Sequence, residues 1–454
     1  MANSSCCIYY MEAQMYRKPI VAVVGRPNVG KSTFFNRIAG SRISIVEDTP
    51  GVTRDRIYAD CEWLTHKFIM IDTGGIEPSS TDVILSQMRD QAQIAIDTAD
   101  VIVFVCDGKS SFTTADEEIA QMLRRSKKPV ILVLNKIDQF KQPDHFYDYF
   151  SLGLGEPVMI SSVNAMGLGD LLDDICKLFP PNDDLEEDDE TIKICLIGKP
   201  NVGKSSMVNK IIGENRVIVS EIAGTTRDAI DTPFTYNNQK FVLIDTAGLR
   251  RQSKVNENIE KYSVIRTLTA IERSDVCFIL IDAAEGITEQ DKKVAGYAHE
   301  AGKASIFVVN KWDLIEKDND TFNEFKKRLK EEFPFMQYAP AMFVSTVTGQ
   351  RVMQLLEQAV YVSNNHALRI STGVLNDIIN EAIALNQVPS DKGKRLKIYY
   401  ATQVSVKPPT FVLFVNIADL AHFSYVRYLE NQIRKNFNYE GTPIVFKVKA
   451  RGED

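Results

Sequence analysis

Eight residues occur twice in almost the same order. Gly25-Arg26-Pro27-Asn28-Val29-Gly30-Lys31-Ser32 returns 173 positions later as Gly198-Lys199-Pro200-Asn201-Val202-Gly203-Lys204-Ser205. The same offset relates Gly51-Val52-Thr53-Arg54-Asp55 to Gly224-Thr225-Thr226-Arg227-Asp228, and Asp72-Thr73-Gly74-Gly75 to Asp245-Thr246-Ala247-Gly248. Asn135-Lys136-Ile137-Asp138 matches Asn310-Lys311-Trp312-Asp313 at an offset of 175. A period this long exceeds any solenoid unit, so the chain reads as two whole domains in tandem. Its 454 residues leave room for a third. The expected layout is a disordered extension over 1–17, a first domain over 18–180, an acidic linker over 181–190, a second domain over 191–363 and a third over 364–454.

Composition narrows the class. With 44% hydrophobic and 25% charged residues, the chain is neither disordered nor a coiled coil as a whole. Its apolar runs, such as Val101–Cys106 and Val276–Ile281, fall far short of the ~20 residues that span a bilayer. Residues 1–17 lack the basic start and apolar core of a secretory signal, and Met11 or Met15 are alternative starts. Seven cysteines are scattered without zinc spacing, and Cys106, Cys195 and Cys277 sit in apolar runs, as buried thiols would. A cytoplasmic address is expected. The net charge of −7 argues against coating nucleic acid with the whole surface. Asp183, Asp184 and Glu186 to Glu190 form the acidic run, whereas 364–454 carries 7 Lys and 5 Arg against 8 acidic residues. That local excess points weakly to an RNA partner.

Within each repeat, short β-branched runs (Ile20–Val24, Phe68–Ile71, Val101–Val105, Val130–Leu134) alternate with amphipathic stretches such as Ala115–Arg125. This predicts an α/β fold: a mostly parallel sheet with helices on both faces and ligands at the carboxyl ends of the strands. The eight-residue motif fits G-x-x-x-x-G-K-S between a strand and a helix, the context of a phosphate-binding loop. Lys31 and Lys204 are expected to reach the outer phosphates, and Ser32 and Ser205 to ligate Mg²⁺. Asp72 and Asp245 end apolar strands, where a carboxylate holds the metal through water, while Gly75 and Gly248 let an N–H approach the terminal phosphate. Thr53 and Thr226 lie where a loop ordering around phosphate and Mg²⁺ places a hydroxyl. Thr226 is preferred to Thr225 because that position is threonine in both repeats.

The Asn135 and Asn310 tetrapeptides read the base. A carboxylate at Asp138 or Asp313 accepts from both the ring N–H and the amino group of guanine, which adenine cannot offer. Lys136 and Lys311 would lie along the base, and Asn135 and Asn310 would tie loops together. The nucleotide is GTP rather than ATP.

This ordered set resembles the translation-factor class of P-loop GTPases. The tandem arrangement with a third module is similar to the Der (EngA) double-GTPases, which assist assembly of the bacterial large ribosomal subunit. The resemblance runs from about Lys18 to Gly452 and is most specific in the doubled P-N-V-G-K-S loops, the two T-R-D segments, Tyr400-Ala401-Thr402-Gln403 and Pro408-Pro409-Thr410-Phe411. It implies GTP hydrolysis, a large-subunit and rRNA partner, and a monomer. The loop backing guanine usually reads Ser-Ala in the family. Here it is Ser161-Ser162 and Ser345-Thr346, with the contact expected from a backbone N–H. Ile76 and Leu249 stand where related enzymes carry a water-orienting Gln, and neither can hydrogen-bond a water. The resemblance therefore implies K⁺-stimulated hydrolysis, with Asn28 and Asn201 holding the ion. A cis-acting Arg54 or Arg227 is the competing device.

From Asn364 the repeat ends. Leu375, Ile378, Ile379, Ala382 and Ile383 follow helical spacing, with Ser371 or Thr372 as cap. Strands are expected at Leu396–Thr402, Phe411–Val415 and Ile444–Val448, with a second helix marked by Tyr425, Tyr428, Leu429, Ile433 and Phe437 and stopped by Gly441. This α-β-β-α-β order is similar to a K-homology RNA-binding domain, but no G-x-x-G loop lies between the helices. The helical aromatics are read as core. RNA contact then falls to surface Lys and Arg, or the module reads the state of a G domain. The competing readings are a nucleotide-gated scaffold, a tRNA-modifying GTPase and an ATPase or P-loop kinase.

Overall fold

The computed structural model of the chain describes residues 18–39, 58–73, 84–138, 142–180, 191–214, 217–219, 231–246, 260–316, 320–391 and 394–450. They fall into two units: one contains the first repeat, the other most of the second repeat together with the C-terminal module.

In the first unit, β1 (Ile20–Val24), β2 (Tyr58–Trp63), β3 (His66–Asp72), β4 (Val101–Asp107), β5 (Val130–Asn135) and β6 (Val158–Met159) form one sheet, ordered β2-β3-β1-β4-β5-β6. Only β2 is antiparallel to its neighbour; the other pairings are parallel. The helices are α1 (Lys31–Ala39), α2 (Ile84–Thr98), α3 (Thr114–Ser126) and α4 (Leu168–Lys177). Side chains alternate along a strand, and here both sides are apolar. Ala22 and Val24 join Ala95, Ile119 and Leu123 on one face, while Val21 and Val23 join Phe34, Leu171 and Ile175 on the other. β1 lies between β3 and β4, so helices depart to opposite faces there and a crevice opens at its carboxyl end.

The second repeat builds the same sheet. β7 (Ile192–Ile197), β8 (Ile218–Val219), β9 (Thr232–Tyr236), β10 (Gln239–Leu243), β11 (Val276–Asp282), β12 (Ala304–Asn310) and β13 (Ala341–Phe343) are ordered β13-β12-β11-β7-β10-β9-β8. Its helices are α5 (Lys204–Ile212), α6 (Glu260–Glu272), α7 (Glu289–Glu300), α8 (Thr321–Glu332) and α9 (Gln354–His366). Helices α3 and α7 start identically, on reciprocal capping boxes of Thr113 with Asp116 and Thr288 with Asp291. Cys106, Cys195 and Cys277 are buried free thiols, as their apolar settings require. Among the described residues, no helix is long and apolar enough to cross a membrane.

The C-terminal module follows the expected order: α10 (Thr372–Leu385), a short β14–β15 hairpin (Ser390–Asp391, Lys394–Arg395), β16 (Ile398–Ser405), β17 (Thr410–Val415), α11 (Phe423–Asn436) and β18 (Val445–Ala450). The sheet runs β16-β17-β18, antiparallel then parallel. Leu375, Ile379, Leu429 and Ile433 pack against Ala401, Phe411 and Leu413, so the helical aromatics and aliphatics are core. The edge strand is capped from a helix: Asn376 donates to Ala401 O and accepts from Ala401 N–H, at 2.8 Å each. Buried Gln403 accepts from Ile370 N–H at 2.7 Å and donates to Leu368 O at 3.0 Å. These two anchors explain why the Tyr400-Ala401-Thr402-Gln403 segment is so particular.

Three expectations need correction. The boundary before Asn364 falls inside α9, which continues to His366 because Asn365 and His366 are buried polar residues that a hydrophobic pattern does not register. Ser371 occupies the N-cap of α10 but makes no side-chain capping bond. Gly441 does not stop a helix, since α11 already ends at Asn436.

Gly441 instead joins the module to the second repeat. Ser305 N–H donates to Gly441 O and Gly441 N–H donates to Tyr338 O, each at 2.7 Å. Its φ of +80° favours glycine, and a Cβ there would meet Val362 at 2.4 Å. Around it, Asn365 donates to Glu440 O, His366 pairs with Thr442, His299 with the Tyr338 hydroxyl, and the Arg434 guanidinium lies over the Tyr338 ring. Burial, with Lys303 and Lys407 adding, pushes His366 down to about 3; burial, with Arg434 adding, pushes His299 to about 4. Below the ordinary histidine value the unfolded chain binds protons that the folded seam refuses, so stability falls as pH falls. At 1.36 kcal/mol per pH unit, a loss of about 3 kcal/mol or more is expected between pH 6.5 and 4. Denaturant titrations across that range test this, and His366→Asn should flatten the slope.

Candidate nucleotide-binding sites

The crevice at the end of β1 is floored by the first glycine-rich loop, which runs directly into α1. Lys31 opens that helix and is 6% exposed; its Nζ donates to Gly25 O at 2.6 Å and Arg26 O at 2.8 Å. Lys204 repeats the arrangement, donating to Gly198 O at 2.7 Å and Lys199 O at 2.8 Å. Each ammonium is thus curled over its own loop, beside the unpaired N–H groups of a helix start, where phosphate oxygens are favoured. Burial lowers both lysines to about 8, opposed by Asp72 for Lys31 and by Asp291 for Lys204. Above pH 8 a growing share of each is neutral, so an incoming phosphate must be matched by proton uptake. GTP affinity should therefore weaken by up to roughly tenfold per unit above pH 8. A flat binding profile between pH 7 and 9 would show that the ammonium keeps its charge.

In the first domain the two residues expected at the metal lie together. Asp72, the last residue of β3, accepts from Ser32 Oγ at 2.8 Å. Two hard oxygen donors at the phosphate loop suit Mg²⁺, which takes few protein ligands and keeps the rest for water and phosphate. The second domain differs. There β10 stops at Leu243, and Asp245 sits in a left-handed turn at φ +57° with its N–H donated to Asp231 Oδ1 at 3.0 Å. The hydroxyls of Thr73 and Thr246 are engaged within the fold: Thr73 Oγ1 donates to Val23 O at 2.6 Å, and Thr246 bonds Thr232. Asn28 and Asn201 are exposed loop residues at φ +64° and +62°. Thr53, Gly74, Gly75, Ile76, Thr226, Ala247, Gly248 and Leu249 lie outside the described residues, as do Arg54 and Arg227.

The base-reading ends are built on β5 and β12. Buried Asn135 donates from Nδ2 to Val29 O at 2.8 Å and accepts at Oδ1 from Ser162 N–H and Oγ. Asn310 does the same with Val202 O at 2.9 Å and Thr346 N–H at 3.2 Å. Each asparagine therefore fastens the phosphate loop to the serine-containing loop, as expected of it. The N–H groups of Ser162 and Thr346 are consequently engaged by asparagine, and those of Ser161 and Ser345 by Met166 O and Gln350 O. Ile137 and Trp312 are packed, Trp312 against Phe325 and Phe343, and serve as anchors for the tetrapeptides. Pro27 and Pro200 are exposed, whereas Val29 and Val202 are core.

Asp138 accepts from Lys109 Nζ and Ser161 Oγ at 2.9 Å each. These bonds, Lys109 foremost, hold its carboxyl below the usual range, so it is an acceptor at neutral pH. Lys136 and Lys311 are positioned by carboxylates the sequence reading missed. Asp107 receives Lys136 Nζ at 2.8 Å and Asp282 receives Lys311 Nζ. Burial, the largest single influence, pushes both carboxylates up, but the lysine hydrogen bond, backbone N–H donors and the lysine charge together outweigh it and hold them low. The side chains of Arg26 and Lys199 are held by acidic residues. Arg26 Nε lies 3.8 Å from buried Asp116, and Lys199 Nζ lies 2.8 Å from Glu285 and 3.6 Å from buried Asp291. The side chain of the second residue of each phosphate loop thus leans on the N-terminal cap of a helix much farther along the chain, α3 or α7. The signal was available: Asp107 to Asp282 and Asp116 to Asp291 share the 175-residue offset of the base-reading tetrapeptides.

A phosphate loop with its lysine curled over it and an Asn-Lys-x-Asp turn, both at the carboxyl ends of strands in one mostly parallel sheet, define a P-loop GTPase. This chain carries two such domains. A family profile described as "50S ribosome-binding GTPase" matches residues 20–136 and 193–311, and one described as "KH-domain-like of EngA bacterial GTPase enzymes, C-terminal" matches 369–449. GTPase Der of Alkaliphilus oremlandii is 61% identical over 96% of this chain and 99% of its own length. Those of Alkaliphilus metalliredigens and Acetivibrio thermocellus are 62% and 61% identical, over 96% of this chain and 99% and 100% of theirs. The chain belongs to the Der (EngA) family of double-domain GTPases.

Proposed function

We propose that the chain couples GTP binding and hydrolysis at two sites to assembly of the large ribosomal subunit in the cytoplasm, acting as a monomer. The observation that carries this reading is the presence of Lys, Asn and the base-reading turn twice, in matching geometry, beside a third module with a basic balance. In the reaction water attacks the terminal phosphorus and the bond to the bridging oxygen breaks, giving GDP and phosphate. Ser32 with Asp72, and Ser205 with Asp245, would hold Mg²⁺, which neutralises phosphate charge when bound. Thr53 and Thr226 are assigned as its hydroxyl ligands from the switch-like loops. Lys31 and Lys204 supply charge at the outer phosphates, and the asparagine ties keep each loop preorganised around them.

Ile76 and Leu249 cannot orient the water, so a second electrostatic device is required. The outward-facing Asn28 and Asn201 support K⁺ as that device. Turnover should be several-fold higher in K⁺ than in Na⁺ at matched ionic strength; equal rates would remove the ion from the scheme. A loss of turnover in Arg227→Ala would transfer the role to arginine.

Sedimentation with purified large ribosomal subunits tests the partner. The protein, loaded with a non-hydrolysable GTP analogue or with GDP, should co-sediment differently in the two states. Nucleotide-independent binding without measurable turnover would favour a scaffold. Failure to co-sediment in either state would overturn the ribosomal reading.

A further inference from the structure

The helices of the C-terminal module cover one face of its sheet. The opposite face is defined by register: Tyr400 pairs with Phe414, which pairs with Lys449, and the next outward row is Thr402, Val412 and Lys447. Val412 is buried, so the accessible part of this face is the end formed by Tyr400, half-buried Phe414, Lys447 and Lys449. The Tyr400 and Phe414 rings are stacked, with centroids 4.4 Å apart and planes 11° from parallel, and Tyr400 remains 47% exposed. Lys447 and Lys449 are exposed and make no ion pair among the described residues. Lys397, at the edge strand, lies over the Tyr399 ring. No residue of the three strands is acidic.

We propose that this open sheet face is a binding platform for unpaired RNA nucleotides, with a base stacked on the Tyr400–Phe414 pair and its phosphates on Lys447 and Lys449. An aromatic surface that is half exposed offers a π-face to any base, and the adjacent cations answer phosphate charge. The geometry suits one nucleotide: Lys449 stands one strand spacing, about 4.8 Å, beyond Phe414. A protein partner would gain from an apolar face, but would need carboxylates for two lysines and would leave the tyrosine ring no matching flat surface. The platform gives the module an RNA contact that needs no G-x-x-G loop and uses strand aromatics instead of the helical ones. It deepens the ribosomal reading by naming what the third module touches, and it is tested without ribosomes.

The experiment is fluorescence anisotropy of the full chain with a labelled, unstructured RNA 12-mer, the same RNA annealed to its complement, and a DNA 12-mer of the same sequence. Single-stranded RNA should bind more tightly than the duplex. Tyr400→Ala should weaken it by about 5- to 100-fold, and Tyr400→Trp should restore it. Lys447→Ala with Lys449→Ala should lower the slope of log affinity against log salt by about 1.4, at ~0.7 per phosphate contact on a single strand. Equal binding by DNA would keep the platform but withdraw the assignment to RNA as its occupant. Unchanged single-strand affinity in Tyr400→Ala and in the double-lysine variant would overturn the proposal. So would a Tyr400→Ala variant that binds RNA normally but no longer co-sediments with subunits, since the face would then serve a protein. Folding of each variant is checked by retained uptake of two guanine nucleotides.

Discussion

Gly30→Ala is expected to abolish nucleotide uptake at the first site while the second stays intact, so that calorimetry counts one GTP per chain instead of two. Gly30 has φ +95°, and a Cβ there would lie 2.3 Å from Asn135 Nδ2. Backbone cannot yield at a left-handed glycine without strain, so the asparagine must move and release Val29 O. A buried polar group left without its partner costs about 1–3 kcal/mol, and the left-handed strain adds roughly 1–2 kcal/mol. Together these correspond to about 30-fold or more in affinity, at 1.4 kcal/mol per tenfold. Gly203→Ala should do the same to the second site, because its Cβ would meet Asn310 Nδ2, also at 2.3 Å. Each variant serves as the folding control for the other. Two nucleotides bound with unchanged affinity would mean that the asparagine tie is dispensable.

Asp138→Asn should reverse the base preference of the first site. The carboxylate is held ionised by Lys109 and Ser161 and offers two acceptors. Asparagine replaces one acceptor with an N–H₂ donor, which meets the donors on guanine N1 and its amino group head-on. Sites built on buried polar recognition discriminate by up to about 10⁴–10⁵, so GTP affinity should fall by about 10³ or more. Xanthosine triphosphate presents a carbonyl where guanine has its amino group and should bind the variant better than GTP does. Competition against a labelled nucleotide measures both. Undiminished GTP binding would place base recognition elsewhere.

The fold was largely legible because its strands are buried on both sides and therefore read as unbroken apolar runs, as in Ile20–Val24 and Val276–Ile281. The phosphate loops and the Asn-Lys-x-Asp turns were legible because their chemistry demands particular residues in a fixed order. Asp107, Asp282, Asp116 and Asp291 escaped because a lone aspartate at a strand end or helix cap resembles any other. Their meaning lies in a lysine 29 residues away in sequence, Lys136 for Asp107 and Lys311 for Asp282, brought close only by the sheet. The side chains of Arg26 and Lys199 likewise lean on helix caps far along the chain, a contact that no local motif encodes. Gly441 was misread for a similar reason. Its left-handed backbone looks locally like a helix stop, but the partners that require it, Ser305 and Tyr338, are more than a hundred residues upstream.

That glycine has a mechanical consequence. Ser305, whose N–H it receives, is the second residue of β12, and the far end of the same strand is Asn310, where base recognition begins. A fully extended, fully buried strand is a stiff rod, so a tug on the Gly441 loop is transmitted along five residues to the purine pocket. Any coupling carried along this strand is symmetric in free energy: a ligand that changes the Gly441 contacts and a guanine nucleotide in the second domain shift each other's affinity by the same factor.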